Sequence, residues 1–73
     1  MEQIGKVIEV YIPGEDVMAS KEIGFKVQLG DEIIDIVEKQ DEFNSMIHRE
    51  DEVIIRKTII DGREFVDIEL LEE

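Results

Sequence analysis

The stretch Glu52-Val53-Ile54-Ile55-Arg56-Lys57-Thr58-Ile59-Ile60-Asp61-Gly62-Arg63-Glu64-Phe65-Val66-Asp67-Ile68-Glu69-Leu70-Leu71 decides the fold class. Two runs rich in β-branched residues flank Asp61-Gly62, a strong signal for a two-residue type I′ turn, which needs positive φ at both central positions. Pairing Ile60 with Arg63 then fixes every other partner. Ile55 falls opposite Ile68 and Val53 opposite Leu70 on one face, while Arg56 falls opposite Asp67 on the other. Apolar side chains meet apolar ones and opposite charges meet, the arrangement that cross-strand pairing favours. The stretch therefore predicts strands over 52–60 and 63–71.

The same logic applies upstream. In Ile23-Gly24-Phe25-Lys26-Val27-Gln28-Leu29 the apolar residues recur at period two, the pattern of a half-buried strand. Gly30-Asp31 supplies a type II′ turn with glycine at its first position, and a return strand spans 32–39. Leu29 then pairs with Glu32, Val27 with Ile34, Phe25 with Ile36 and Lys26 with Asp35. Ile33, Val37, Ile54 and Phe65 are left on the outward faces of the two hairpins.

A further strand, over 3–12, is less regular. Ile4, Ile8, Val10 and Ile12 share a parity with Lys6, whereas Val7 and Tyr11 lie on the other, so Gly5 is expected to mark a bulge or tight bend. Pro13-Gly14 ends it, and 13–22 reads as a polar loop in which Val17 and Met18 are the large apolar members. Between the hairpins, Asp41 is placed to cap a helical turn with Phe43, Met46 and Ile47 on one side, a plug for one end of a barrel. The order predicts one all-β domain over 1–73, a small five-stranded OB-like barrel, or an SH3-like one, with a short helical turn between strands three and four.

Size and composition narrow the function. A chain of 73 residues makes one small domain, and a domain of that size buries only about 60% of the surface its unfolded chain exposes. No apolar run approaches the roughly 20 residues of a membrane span, and the N-terminus lacks a basic region followed by an apolar block, so the expectation is a cytoplasmic protein away from membranes. Without cysteine there is no disulfide, thiolate site or cysteine nucleophile. The formal net charge is −12. Residues 1–30 carry 5 acids and 3 bases, net −2, and residues 31–73 carry 15 acids and 5 bases, net −10. Such a chain is repelled by a phosphate backbone and attracted to a basic surface.

Three segments resemble the compact OB domains of the bacterial initiation-factor and cold-shock kind. They are Gly5-Lys6-Val7-Ile8-Glu9-Val10, Phe25-Lys26-Val27-Gln28-Leu29-Gly30 and Glu50-Asp51-Glu52-Val53-Ile54-Ile55. The resemblance implies the barrel fold. Nucleic-acid binding in those families needs exposed aromatics for stacking and a basic track for the backbone. Here Asp31 and Glu32 follow Gly30 where such a surface would carry Lys or Arg, so only the fold carries over.

Candidate chemistry is sparse. His48 is the single histidine and lies near Glu50 and Asp51, but neither Ser20 nor Ser45 has the strand-turn-helix setting of an activated nucleophile. The acidic runs Glu15-Asp16, Asp41-Glu42, Glu50-Asp51-Glu52 and Glu72-Glu73 lack the alternating spacing and central glycine of a calcium loop. The expectation is a non-enzymatic module without cofactor or metal, a monomer or weak dimer that acts as an accessory or regulatory factor by binding a basic protein. The alternatives are a nucleic-acid-binding OB protein and an acidic DNA mimic. The docking face falls in the acidic half, at Ile33, Asp35, Asp41, Glu42, Phe65, Asp67 and Glu69, with Asp31 and Glu64 beside them.

Overall fold

Two tight turns set the geometry, and both have the backbone their residues predict. Asp61 and Gly62 lie at φ 51° and 78°, as a type I′ turn requires, and Gly30 lies at φ 60° in the first hairpin. A computed structural model describes residues 2–14 and 20–72. Its strands are β1 (Glu2–Tyr11), β2 (Glu22–Leu29), β3 (Glu32–Lys39), β4 (Glu52–Ile60) and β5 (Arg63–Leu70), with a 3₁₀ turn at Asn44–Met46 between β3 and β4. The predicted registers of both hairpins are observed pair for pair, including Lys26 opposite Asp35 and Arg56 opposite Asp67. The loop residues Val17 and Met18 and the run Glu15-Asp16 lie outside the described residues.

All five strands belong to one antiparallel sheet in the order β3-β2-β1-β4-β5. Strand β1 joins the two hairpins because its halves face different neighbours: 2–6 pair with β4 and 6–11 with β2, with Lys6 common to both. The irregularity expected at Gly5 sits instead between Val7 and Glu9. It resets the parity, so Val7 is buried before it and Val10 and Ile12 pack on the core after it, while Ile4 stays exposed. Gly5 serves another purpose: a Cβ there would stand 2.5 Å from Leu29 Cδ2 and 2.8 Å from the Gln28 carbonyl oxygen. Only glycine lets β1 approach β2 so closely.

The inner face gathers Val7, Ile23, Phe25, Val27, Ile36, Val53, Ile55 and Ile68 into one core, closed by Ile47. Fully burying a side chain such as Phe25 or Ile55 contributes about 1.5–3 kcal/mol. On the outer face, the Tyr11 ring lies over Gly24, where a Cβ would overlap it, and its hydroxyl donates across β2 to Asp35 on β3. Among the described residues no ladder joins β3 to β5, so the expected closure of a barrel is not found. No described helix is long and apolar enough to cross a membrane.

Residues 41–47 depart from the predicted plug. Asp41 does cap the turn, its Oδ1 accepting from the amides of Phe43 at 2.8 Å and Asn44 at 2.7 Å. The turn is 3₁₀, however, with three residues per turn and a single short winding, so the α-helical stripe of Phe43, Met46 and Ile47 does not form. Ile47 alone enters the core, whereas Phe43 is 74% exposed and Met46 55%. The buried member of the turn is Asn44, whose amide donates to the Lys39 carbonyl at 2.8 Å and whose Oδ1 accepts from the Asp41 amide at 2.9 Å.

Candidate docking groove

The reciprocal Asp41–Asn44 bonds fix the shape of the 41–47 turn, which lies beside β5, and the space between turn and strand is a groove of about 620 Å³. Its apolar lining comes from Phe43, Met46 and Ile47 of the turn, Ile54 of β4, and Ile68, Leu70 and Leu71 at the end of β5. Its charged lining consists of Glu38, Asp41, Asp67, Glu69 and Glu72, and no basic residue is among the residues that line it. Every lining residue falls in the more acidic part of the chain, after residue 30.

Glu38 shows the effect of this crowding. It ends the β3 series Ile34, Ile36, Glu38 that faces inward, so it is half-buried. Burial pushes its carboxyl above the ordinary range, the Asp67 and Asp41 charges add to the rise, and hydrogen bonding from Asn44 opposes it. A cation placed near Glu38 would offset the charge-driven part.

The contiguity of the β5 lining is informative. Successive strand residues point to opposite faces, so a cavity on one face touches alternate residues. Here Asp67, Ile68, Glu69, Leu70, Leu71 and Glu72 all line the groove. The groove therefore runs along the free edge of β5 and reaches both of its faces.

Of the residues expected at a docking face, Asp41, Asp67 and Glu69 come together here. The other four lie outside the groove. Ile33 is exposed on β3, Asp35 accepts the Tyr11 hydroxyl, Glu42 is exposed beside the turn, and Phe65 is half-exposed nearer the β4–β5 turn. Sequence reasoning missed Glu38, Leu70, Leu71 and the exposed turn residues Phe43 and Met46. Glu38 left a signal, a carboxylate at an inward-facing parity. Elsewhere His48 is exposed and its Nδ1 lies 3.8 Å from Asp51 Oδ2. Glu50, at φ 80°, pairs with Lys6 at 3.1 Å while its amide donates to the Val7 carbonyl at 2.8 Å. Among the described residues no group of three His, Asp or Glu side chains is placed to hold a metal ion.

Comparison of the chain with family models, curated proteins and solved structures finds no match.

Proposed function

We propose that this protein is a non-enzymatic interaction module, an accessory or regulatory factor of the cytoplasm that docks a basic protein segment. The observation that carries the reading is the groove beside β5, whose lining combines seven apolar residues with five carboxylates and no basic residue. An apolar centre with a charged rim is the usual anatomy of a protein interface, in which the desolvated centre holds the complex and the rim speeds and orients encounter. The same carboxylates repel phosphate, which weighs against a nucleic acid as the occupant.

The architecture is read as an OB-like arrangement rather than an SH3-like one. Support comes from the helical turn between β3 and β4 and from β1 standing mid-sheet, bonded to both hairpins.

The test is a titration of isotope-labelled protein with cationic polylysine and, separately, with single-stranded DNA, at about 0.05 and 0.15 M salt. Polylysine should shift the resonances of Glu38, Met46, Ile68 and Leu70, and the shifts should weaken with salt. Binding of the DNA at the higher salt with no response to polylysine would replace this reading by the nucleic-acid one.

A further inference from the structure

The free edge of β5 has defined hydrogen-bonding groups. In an antiparallel ladder, opposed residues alternate between pairs that exchange backbone hydrogen bonds and pairs that do not. The Leu71 amide donates to the Glu52 carbonyl at 3.0 Å, which marks that pair as bonded. By alternation the pairs 54/69, 56/67, 58/65 and 60/63 are bonded too. The N–H and C=O groups of Glu64, Val66, Ile68 and Leu70 therefore point away from β4. Beyond β5 the sheet has no further strand among the described residues, and along Ile68 and Leu70 the space beside it is the groove.

From this geometry we infer that the groove binds its basic partner by strand addition: an extended segment alternating apolar and basic residues pairs with the free edge of β5 at Ile68 and Leu70. The inference rests on the docking reading above and names how the partner binds. A strand added beside β5 continues its two faces. Residues opposite Ile68 and Leu70 point toward the core side, where Ile47 and Met46 complete an apolar lining. Residues opposite Asp67 and Glu69 point outward, where lysine or arginine meets the carboxylate of Asp67, Glu69 being already bridged to Arg56. The five residues from Asp67 in β5 to Leu71 just beyond its end span about 14 Å at the strand rise of roughly 3.4 Å per residue, so a partner segment of about the same length suffices.

A second copy of this chain does not fit that edge. Antiparallel pairing of β5 with β5 centred on Ile68, the register that covers the groove, would set Asp67 opposite Glu69, and like charges directly opposed are destabilising. The carboxylates thus guard the edge against self-association, a common protection of exposed strands, and leave it open to a cationic strand.

The experiment uses the full chain and three blocked peptides of about seven residues. One alternates lysine and valine, the second carries N-methyl groups on the alternate backbone nitrogens that would face β5, and the third has the same composition with its valines grouped at one end. The alternating peptide should bind and slow hydrogen exchange at the Ile68 and Leu70 amides, leaving those of Ile33 and Val37 on the free edge of β3 unchanged. N-methylation should weaken binding by about tenfold or more, since the methylated nitrogens can no longer donate to the carbonyls of β5. Equal affinity for all three peptides would overturn strand addition while leaving a basic partner in the groove, and protection on β3 instead would overturn both. Failure of all three, together with polylysine, would overturn the docking reading itself.

Discussion

Asp67 stands directly across the β4–β5 ladder from Arg56, yet the Arg56 guanidinium passes it by and donates to Glu69 and, on the neighbouring strand, to Glu2. These two carboxylates hold the Arg56 proton more firmly than usual. The Asp67 charge is felt instead at Glu38, whose carboxyl it helps to push up.

Two carboxylates of one face should therefore respond oppositely to neutralisation. Asp67→Asn at pH 7 removes a charge that crowds Glu38 and gives up no bond to Arg56, so the thermal midpoint should rise. Glu69→Gln weakens the Arg56 bridge, so the midpoint should fall. Thermal melts of the two variants beside the parent protein check this, and a fall for Asp67→Asn would mean that its charge is locally paired.

Glu38→Gln is expected to stabilise at neutral pH. A carboxyl whose folded pKa is raised favours folding when protonated, so its contribution is complete below the unfolded pKa and is lost as pH rises through the folded one. At pH 7 the ionised Glu38 is thus a net burden, which glutamine removes. The gain should shrink to nothing below the ordinary carboxylate range, where Glu38 is already neutral. Denaturant midpoints at pH 7 and pH 3 measure the difference, and an equal gain at both would assign it to packing.

Tyr11 gives the complementary test at alkaline pH. Its hydrogen bond to Asp35, with partial burial and the Asp35 and Glu9 charges, pushes the phenol up to about 12. Folding is favoured while the phenol keeps its proton, so the stability it supplies is intact below the ordinary tyrosine value and disappears between about pH 10 and 12. Because the chain has one tyrosine, phenolate absorbance reports it directly. Asp35→Asn should bring the titration back toward 10, and an unmoved curve would show that the hydroxyl bonds elsewhere.

Gly5→Ala should destabilise by about 1–3 kcal/mol, the usual effect of forcing extra volume into a packed contact. The new Cβ would meet the Gln28 carbonyl as well as the Val27 and Leu29 side chains, and backbone cannot swing aside as a side chain can. A loss below about 0.5 kcal/mol in chemical denaturation would mean that β1 and β2 separate readily at this point.

Both hairpins were readable to the residue because two constraints agreed in each, a turn that fixes register and an alternation that fixes the face. The registers around Phe25–Ile36 and Ile55–Ile68 follow from nothing else. Strand β1 was less legible because it changes partner midway, and a bulge at Val7–Glu9 shifts which parity is buried. The groove was half legible. Charge pointed to Asp41, Asp67 and Glu69, but its apolar members come together through a 3₁₀ turn whose period the sequence does not announce. Ion pairing was least legible, since Lys26 stands opposite Asp35 and bonds Glu9 at 3.2 Å. Register fixes which charges are neighbours, and side-chain reach selects among them.

The sharing of β1 between the hairpins also governs how the chain folds. Each hairpin closes over two residues and needs nothing beyond its own segment, so both can form early, within about 1–10 μs. The β1–β4 seam joins Glu2 to Arg56 and Gly5 to Val53, contacts so distant along the chain that their loop-closure entropy must be overcome before any packing is gained. Assembly of that seam is then the slow step. Refolding rates should fall with substitutions at Val7 and Val53, whereas changes near the Asp61-Gly62 turn should act mainly on unfolding; the reverse pattern in stopped-flow kinetics would place the second hairpin at the barrier.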